Sequence, residues 1–425
     1  MKKRIRIALF TLLALFLAVS GFMSMNAKDG ERTKRVLIKP KDANAEASLR
    51  AMTEVDIRHE FDGKFSAEVP EGALPRVMTL ADVTDVVKLE ILDSPAVCGD
   101  GILSPQEKCG ETGLSQCDAG KVCMDCQCVN KNSALSEDRR CVPSKQRGYN
   151  VLQLNGGKPG DGRGVKIAIL DTGAYTEHPD LDISACKDMT QKGFREGCED
   201  TNGHGTVTSG VAGANGGADQ QGLYGVAPGA ELWMMKVCGQ IYCYDDDIAE
   251  GILYAGRRGA QIVSISLGNK EETPLIKEAM DKFPEILFVA AAGNNGPQQD
   301  TMYYPAAYAG VVGVAANDVN KSTIRMSSRG INDGNDAVIS DREVELTAGG
   351  YFIETTYRDG CYRSFHGTSL AAPAIAGLAA KVWQGDAGST RQYMRTITQD
   401  ITTSNGGGAG PGYDIASGYG LPVAP

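Results

Sequence analysis

The chain reads as α/β, a parallel sheet with helices on both faces, preceded by a small α+β unit and a cysteine-rich segment. Three observations predict this. From about Gly148 onward, short continuous apolar runs (VKIAIL, ELWMMKV, QIVSISL, ILFVAAA, GVVGVAA) recur between helical stretches, and a strand covered on both faces reads as a continuous run rather than an alternating one. Before that point, the cysteine-free stretch from Arg35 to Leu92 mixes strand and helix patterns. Between the two lies CGDGILSPQEKCGETGLSQCDAGKVCMDCQCV, Cys98 to Val129, with six of the chain's 12 cysteines.

The order of elements follows from local patterns. RVLIKP predicts a strand, EASLRAM a short helix, FSAEVP a strand, ALPRVMTL a helix and DVVKLEIL a strand, an α+β module near the lower limit for independent stability. The charged stretch NKNSALSEDRR reads as a linker. The resulting organisation is 1–27, 28–94, 95–130, 131–147 and 148–425, with the Gly-rich SNGGGAGPGY near the end as a surface loop. No repeat of 20–50 residues interrupts it.

Compartment decides how the cysteines are read. Lys2, Lys3, Arg4 and Arg6 precede an apolar run from Ile7 to Val19, which is short for a bilayer span and has the charge layout of a secretory signal peptide. Cleavage falls near Ala18-Val19-Ser20 or near Ala27, and an uncleaved anchor is the alternative. The expected location is secreted, periplasmic or cell-surface. There disulfides persist, so the cluster is expected as a stapled module rather than zinc ligands, although the spacing alone permits both. Zinc predicts chelator sensitivity and free thiols after denaturation, whereas oxidised bridges predict neither. Among the other six cysteines, nearness pairs Cys186 with Cys198 and Cys238 with Cys243, leaving Cys141 for Cys361. A net charge of -10 argues against a nucleic-acid partner and leaves no basic patch for an anionic membrane.

Three polar positions fall where parallel sheets gather their reactive groups, just past strand ends. VKIAIL runs into Asp171 of DTG, NGHGTVTSG places His204 between glycines, and GTSLAAPAIAG places Ser369 at the start of a helix rich in small residues. A serine hydroxyl becomes nucleophilic when an imidazole takes its proton and a carboxylate fixes the imidazole's tautomer. The helix start adds free N–H groups for a developing oxyanion. Pro373 is expected in the first turn, where a missing N–H costs least. Each piece alone has a plainer reading, as a cap, a structural histidine or half of an aspartic-protease pair. There is no second Asp-Thr-Gly or Asp-Ser-Gly, and it is the joint occurrence that points to a nucleophile.

The order Asp, His, Ser, with DTG, HGTVTSGVAG and GTSLAAPAIAG, resembles the subtilisin-like serine proteases, the subtilase family, over Gly148 to Pro425. The resemblance implies that Asp171 orients, His204 acts as base, Ser369 attacks and Asn294 of FVAAAGNNGP donates to the oxyanion. It also implies that Ser266, Leu267 and Gly268 of IVSISLGN pair with an extended peptide, and that YYPAAY, with Tyr303 and Tyr304, walls the pocket for the residue before the scissile bond. CYDDDIAEGI puts Asp245, Asp246 and Asp247 near the rim of the cleft, or in the first turn of a helix as dipole partners. No cofactor is needed for the chemistry, but structural calcium is implied near Asp180 and Asp219, which supply hard oxygen donors.

HEFDGKFSAEVPEGALPRVM with DVTDVVKLEIL resembles a subtilase propeptide of the ferredoxin-like inhibitor type. That resemblance implies an intramolecular inhibitor whose tail lies in the active site until self-cleavage, between about Leu92 and Cys98 or, alternatively, near Arg139-Arg140. The expected product is a monomeric secreted endopeptidase. The rival is a catalytically silent fold used for binding, which the complete set of Asp171, His204, Ser369 and Asn294 disfavours.

Overall fold

A computed structural model describes residues 32–92, 94–95, 121–124, 127–130, 141–191, 195–240 and 242–425. The expected signal segment, most of the cysteine-rich module and most of the linker lie outside the described residues. The chain divides into two compact units, residues 1–86 and 87–425.

In the first unit, β1 (Thr33–Pro40), α1 (Ala43–Arg50), β2 (Asp56–Phe61), β3 (Lys64–Pro70), α2 (Leu74–Leu80) and β4 (Ala81–Asp85) follow one another. The sheet has order β2-β3-β1-β4 and is antiparallel throughout, the ferredoxin-like arrangement. Alternate positions Val36 and Ile38 of β1 and Phe65, Ala67 and Val69 of β3 pack with Leu49 and Val77 of the helices. Asp42 starts α1 by accepting the Ala45 N–H at 2.8 Å, the usual remedy for an unpaired first-turn donor. The strand expected over DVVKLEIL is divided: its first residue, Asp85, ends β4, which pairs with β1, whereas β5 (Lys88–Ile91) belongs to the second unit.

The second unit contains β5 and β6 (Ser94–Pro95), then a hairpin of β7 (Lys121–Met124) and β8 (Gln127–Asn130). After α3 (Tyr149–Gln153) come β9 (Lys166–Asp171), β10 (Ile183–Asp188), β11 (Arg195–Glu196), α4 (His204–Gly213), β12 (Glu231–Lys236), β13 (Cys243–Tyr244), α5 (Asp245–Arg257), β14 (Ile262–Ile265) and β15 (Leu267–Gly268). They are followed by α6 (Pro274–Asp281), β16 (Leu287–Ala291), β17 (Val312–Asn317), β18 (Leu346–Gly349), β19 (Ile353–Thr356), β20 (Tyr362–His366), α7 (Thr368–Lys381) and α8 (Ala387–Thr396).

The main sheet runs β11-β10-β12-β9-β14-β16-β17-β18, parallel except for β11 at its edge. Every residue of β14, β16, β17 and β18 is buried, which is why these strands are written as unbroken apolar runs. Helices cover both faces: α4 packs on α7, which crosses β14, β16 and β17, and α5 packs on α6. The three acids of CYDDD form the first turn of α5, the position that favours negative charge.

Connections from β9 lead to β10 and β12 on one side and, later, to β14 on the other. The crevice at such a reversal, beyond the carboxyl ends of the strands, is where an open α/β sheet offers a site. Three disulfides tie the surrounding loops: Cys141–Cys361, Cys186–Cys198 and Cys238–Cys243.

Candidate active site

Asp171 closes β9 and is fully buried. Its Oδ1 accepts the Nδ1–H of His204 at 2.7 Å and the N–H of Thr172 at 2.7 Å, while Oδ2 accepts from Thr208 Oγ1 at 3.1 Å. A carboxylate that accepts a hydrogen bond from Nδ1–H fixes the tautomer in which Nε2 is the basic nitrogen. His204 opens α4, whose N-cap position is Gly203 and so has no side chain to serve the first turn. The cap comes from Asp200, whose carboxylate accepts the N–H groups of Asn202, Gly203 and Thr206 and the hydroxyls of Thr172 and Thr206. Thr172 Oγ1 in turn accepts the Gly205 N–H at 2.8 Å. Asp200 therefore holds both the residue after Asp171 and the turn that bears His204. Neither Asp200 nor Thr208 carries a family-independent mark in the sequence, beyond a carboxylate close ahead of a helix start.

The glycines beside His204 permit close backbone approach. A Cβ on Gly205 would collide with the carbonyl oxygen of Gly173, and one on Gly203 would lie 2.6 Å from the Tyr357 ring. They let α4 approach the turn after β9 and the loop that follows β19.

Ser369 is the second residue of α7, and its Oγ is buried with no hydrogen-bond partner among the described residues. Pro373 lies inside α7 rather than in its first turn. Proline cannot donate to the carbonyl four residues earlier, and that carbonyl is Ser369's own. Ser266, at the break between β14 and β15, supplies the missing donor through its hydroxyl at 2.9 Å.

Asn294 follows β16. Its Oδ1 accepts the Thr368 N–H at 3.0 Å and the Thr368 hydroxyl at 3.1 Å, so the amide is oriented with Nδ2 outward. Nδ2 donates to the carbonyl of Leu92 at 3.0 Å. The Leu92 N–H donates to the Ser266 carbonyl at 3.2 Å. A Cβ on Gly367 would lie 3.0 Å from Asn294 Nδ2, 3.0 Å from the Leu92 oxygen and 3.3 Å from Ser369 Oγ. These three atoms surround one point, kept open by a glycine at φ 147°.

Leu92 reaches that point as the end of an extended strand. β5 runs antiparallel between β13 and β15, with Leu89 opposite Cys243, Lys88 opposite Tyr244, Glu90 opposite Gly268 and Ile91 opposite Leu267. Beyond Leu92, β6 pairs with β20, Ser94 opposite His366 and Pro95 opposite Phe365. β5 and Leu92 thus lie between β13 and β15 in the form of a bound peptide. Ser266, Leu267 and Gly268 flank it on one side. Of YYPAAY, it is Tyr303 that lies beside Leu92: a Cβ on Gly268 would lie 2.8 Å from Tyr303 Cβ and 3.1 Å from Leu92 Cδ1. The Tyr304 ring instead packs on Tyr308 at 4.7 Å between centroids. Tyr303 accepts from Asn295 Nδ2 and its hydroxyl lies 3.4 Å from Glu90 Oε2; burial pushes its phenol above the ordinary value, keeping it neutral.

Asp180 and Asp219 come together around the turn that precedes GVAP. Asp180 Oδ2 accepts the Leu223 N–H at 2.7 Å and the Tyr362 hydroxyl at 2.6 Å. A Cβ on Gly217 would lie 3.0 Å from Asp180 Oδ1 and 3.5 Å from Asp219 Oδ1, so two carboxylate oxygens face one glycine-bounded space. Both are oxygen donors of the kind a hard cation takes.

Residues 162–420 match the model of the subtilase family. Subtilisin of Bacillus sp. (strain TA39) is 42% identical over 298 residues, covering 64% of this chain and 69% of that protein. Subtilisin Savinase of Lederbergia lenta is 34% identical over 249 residues, covering 58% and 86%. Among solved structures, sphericase aligns with a TM-score of 0.63 at 36% identity, and the S41 psychrophilic protease with 0.62 at 37%; each alignment covers 67% of this chain and all of the other. The fold, the crevice and these likenesses define a serine endopeptidase of the parallel α/β type, acting on polypeptides. The chain belongs to the subtilase family.

Proposed function

We propose that this chain is the precursor of a secreted endopeptidase and that it cuts itself at Leu92–Asp93. The observation that carries the reading is the hydrogen bond from Asn294 Nδ2 to the Leu92 carbonyl, made while β5 lies antiparallel against β13 and β15.

In the proposed reaction, Ser369 Oγ attacks the Leu92 carbonyl carbon and its proton passes to His204 Nε2. Asp171, bonded to Nδ1, stabilises the imidazolium that forms. The carbonyl oxygen becomes an oxyanion held by Asn294 Nδ2 and the backbone N–H of Ser369 at the start of α7. Collapse breaks the C–N bond, His204 gives its proton to the departing Asp93 amine, and Leu92 remains as an ester on Ser369. Water, deprotonated by His204, then releases the Leu92 carboxylate. Other polypeptides follow the same steps. After the first cut, the ferredoxin-like unit acts as an inhibitor whose C-terminal residues fill the cleft, and the cysteine-rich segment stays covalently attached to the enzyme through residue 141 onward. Export by the N-terminal signal segment and calcium at Asp180 and Asp219 complete the proposal.

The test is the N-terminus and mass of the purified protein. Wild type is expected to yield a chain beginning at Asp93 that reacts with a fluorophosphonate, and Ser369→Ala an intact, unlabelled precursor. A mature chain starting after Arg140, or processing of purified Ser369→Ala, would overturn the reading.

A further inference from the structure

Resting on that reading, we infer that the disulfide Cys238–Cys243 is a positioning device that ties the binding of extended peptides to the catalytic aspartate and histidine.

The bond closes a tight loop between β12 and β13. Cys238 and Cys243 are five positions apart, fully buried, and face each other across an antiparallel bridge, and the Gly239 N–H donates to the Tyr242 carbonyl at 3.0 Å. The ring has three attachments. At its start, the N–H groups of Val237 and Cys238 both donate to the Asp171 carbonyl, at 2.8 and 3.3 Å. At its tip, the Gln240 carbonyl accepts from Asn202 Nδ2 at 2.9 Å, and Asn202 Oδ1 accepts the His204 N–H at 3.1 Å. At its end, Cys243 and Tyr244 pair with Leu89 and Lys88, and the Asp245 N–H donates to the Val87 carbonyl at 3.0 Å. One covalent ring therefore touches the segment of Asp171, the segment of His204 and the peptide strand four to six residues from the bond to be cut.

The need for the cross-link follows from the sheet topology. Among the described strands, β13 is two residues long and its sole ladder partner is β5. Without a peptide in place, such an edge has no sheet neighbour to hold it extended, and ordering it on binding would weaken every long substrate. The opposite wall needs no such device, because β15 continues β14 of the main sheet after one residue. The disulfide substitutes for the missing neighbour, and it anchors the edge to the residues that carry the chemistry.

The experiment compares two substrates in mature wild type and in the double variant Cys238→Ala/Cys243→Ala. One is a Val-Lys-Leu-Glu-Ile-Leu anilide, which copies Val87 to Leu92 and so covers the contacts with Cys243, Tyr244 and Asp245. The other is an acetyl-leucine ester, which reaches only the pocket beside Gly268 and Tyr303. The expected result is a KM for the hexapeptide raised about tenfold, with kcat on both substrates within about twofold of wild type. Equal loss on both substrates, or no loss on either, would overturn the inference. If the alanine pair does not fold, Cys238→Val/Cys243→Val keeps the buried volume; failure of both pairs to fold would assign the bond to the fold alone and also overturn the inference. Failure of wild type to turn over the ester would instead overturn the proposed function, so the two outcomes are distinct.

Discussion

The hydroxyl of Ser266 donates to the carbonyl of Ser369, the carbonyl that Pro373 cannot serve. The relationship joins the segment between β14 and β15, which pairs with β5, to α7, the helix that carries the proposed nucleophile. It also explains why a proline inside α7 is tolerated: the lost helix bond is replaced from outside.

Ser266→Ala removes that replacement and leaves a buried carbonyl unpaired, which costs about 1–3 kcal/mol. The expected outcome is a lower unfolding midpoint in urea, measured in a Ser369→Ala background to prevent self-digestion. An unchanged midpoint would mean that another donor reaches the carbonyl.

Asn294→Ala deletes the side-chain donor to the Leu92 oxygen. The borrowed value from subtilisin is a loss of about 100- to 1,000-fold in kcat with little change in KM. Thr368→Val keeps one of the two bonds that orient the amide and is expected to lose about tenfold. Steady-state kinetics on a peptide anilide distinguish these from a binding defect.

Gly367→Ala puts a methyl where Ser369 Oγ, Asn294 Nδ2 and the substrate oxygen converge, in a backbone conformation that costs a side chain about 1–3 kcal/mol. Fluorophosphonate labelling is expected to fall to background while the far-UV circular dichroism of the precursor is kept. Labelling at the wild-type rate would place the reacting atom elsewhere.

Asp386 starts α8 by accepting the Ser389 N–H at 2.8 Å, and the bonds from Ser389 hold its carboxyl below the ordinary value. A depressed carboxyl contributes stability that is present above its unfolded value and is lost as pH falls through its folded one. Asp386→Ala is expected to lower thermal stability at neutral pH and to remove this part of the decline in acid, so wild-type and variant curves converge below the carboxylate range. Parallel curves would refute the cap's contribution.

Much of the architecture was legible along the chain because each local pattern has a local cause. β14, β16 and β17 are buried on both faces, so their apolar runs needed no partner to be recognised. Asp171, His204 and Ser369 stood out by their glycine-flanked settings and by the order in which they occur. DVVKLEIL, by contrast, looked like one strand, since such a run does not record that Asp85 ends β4 against β1 while Lys88 to Ile91 pair with β13 and β15.

What the residues alone specified was the class of fold and the chemical types available to the site. Folding specified which partners they meet. That Ser266 covers for Pro373, that Tyr303 rather than Tyr304 faces Leu92, that Asp200 holds two loops and that a six-residue ring links Asp171 to the peptide edge all depend on contacts between residues far apart in the chain. Side-chain pattern repeats over a few residues and so encodes burial and turn geometry, but the register between distant segments is set by close packing and hydrogen-bond satisfaction across the whole core.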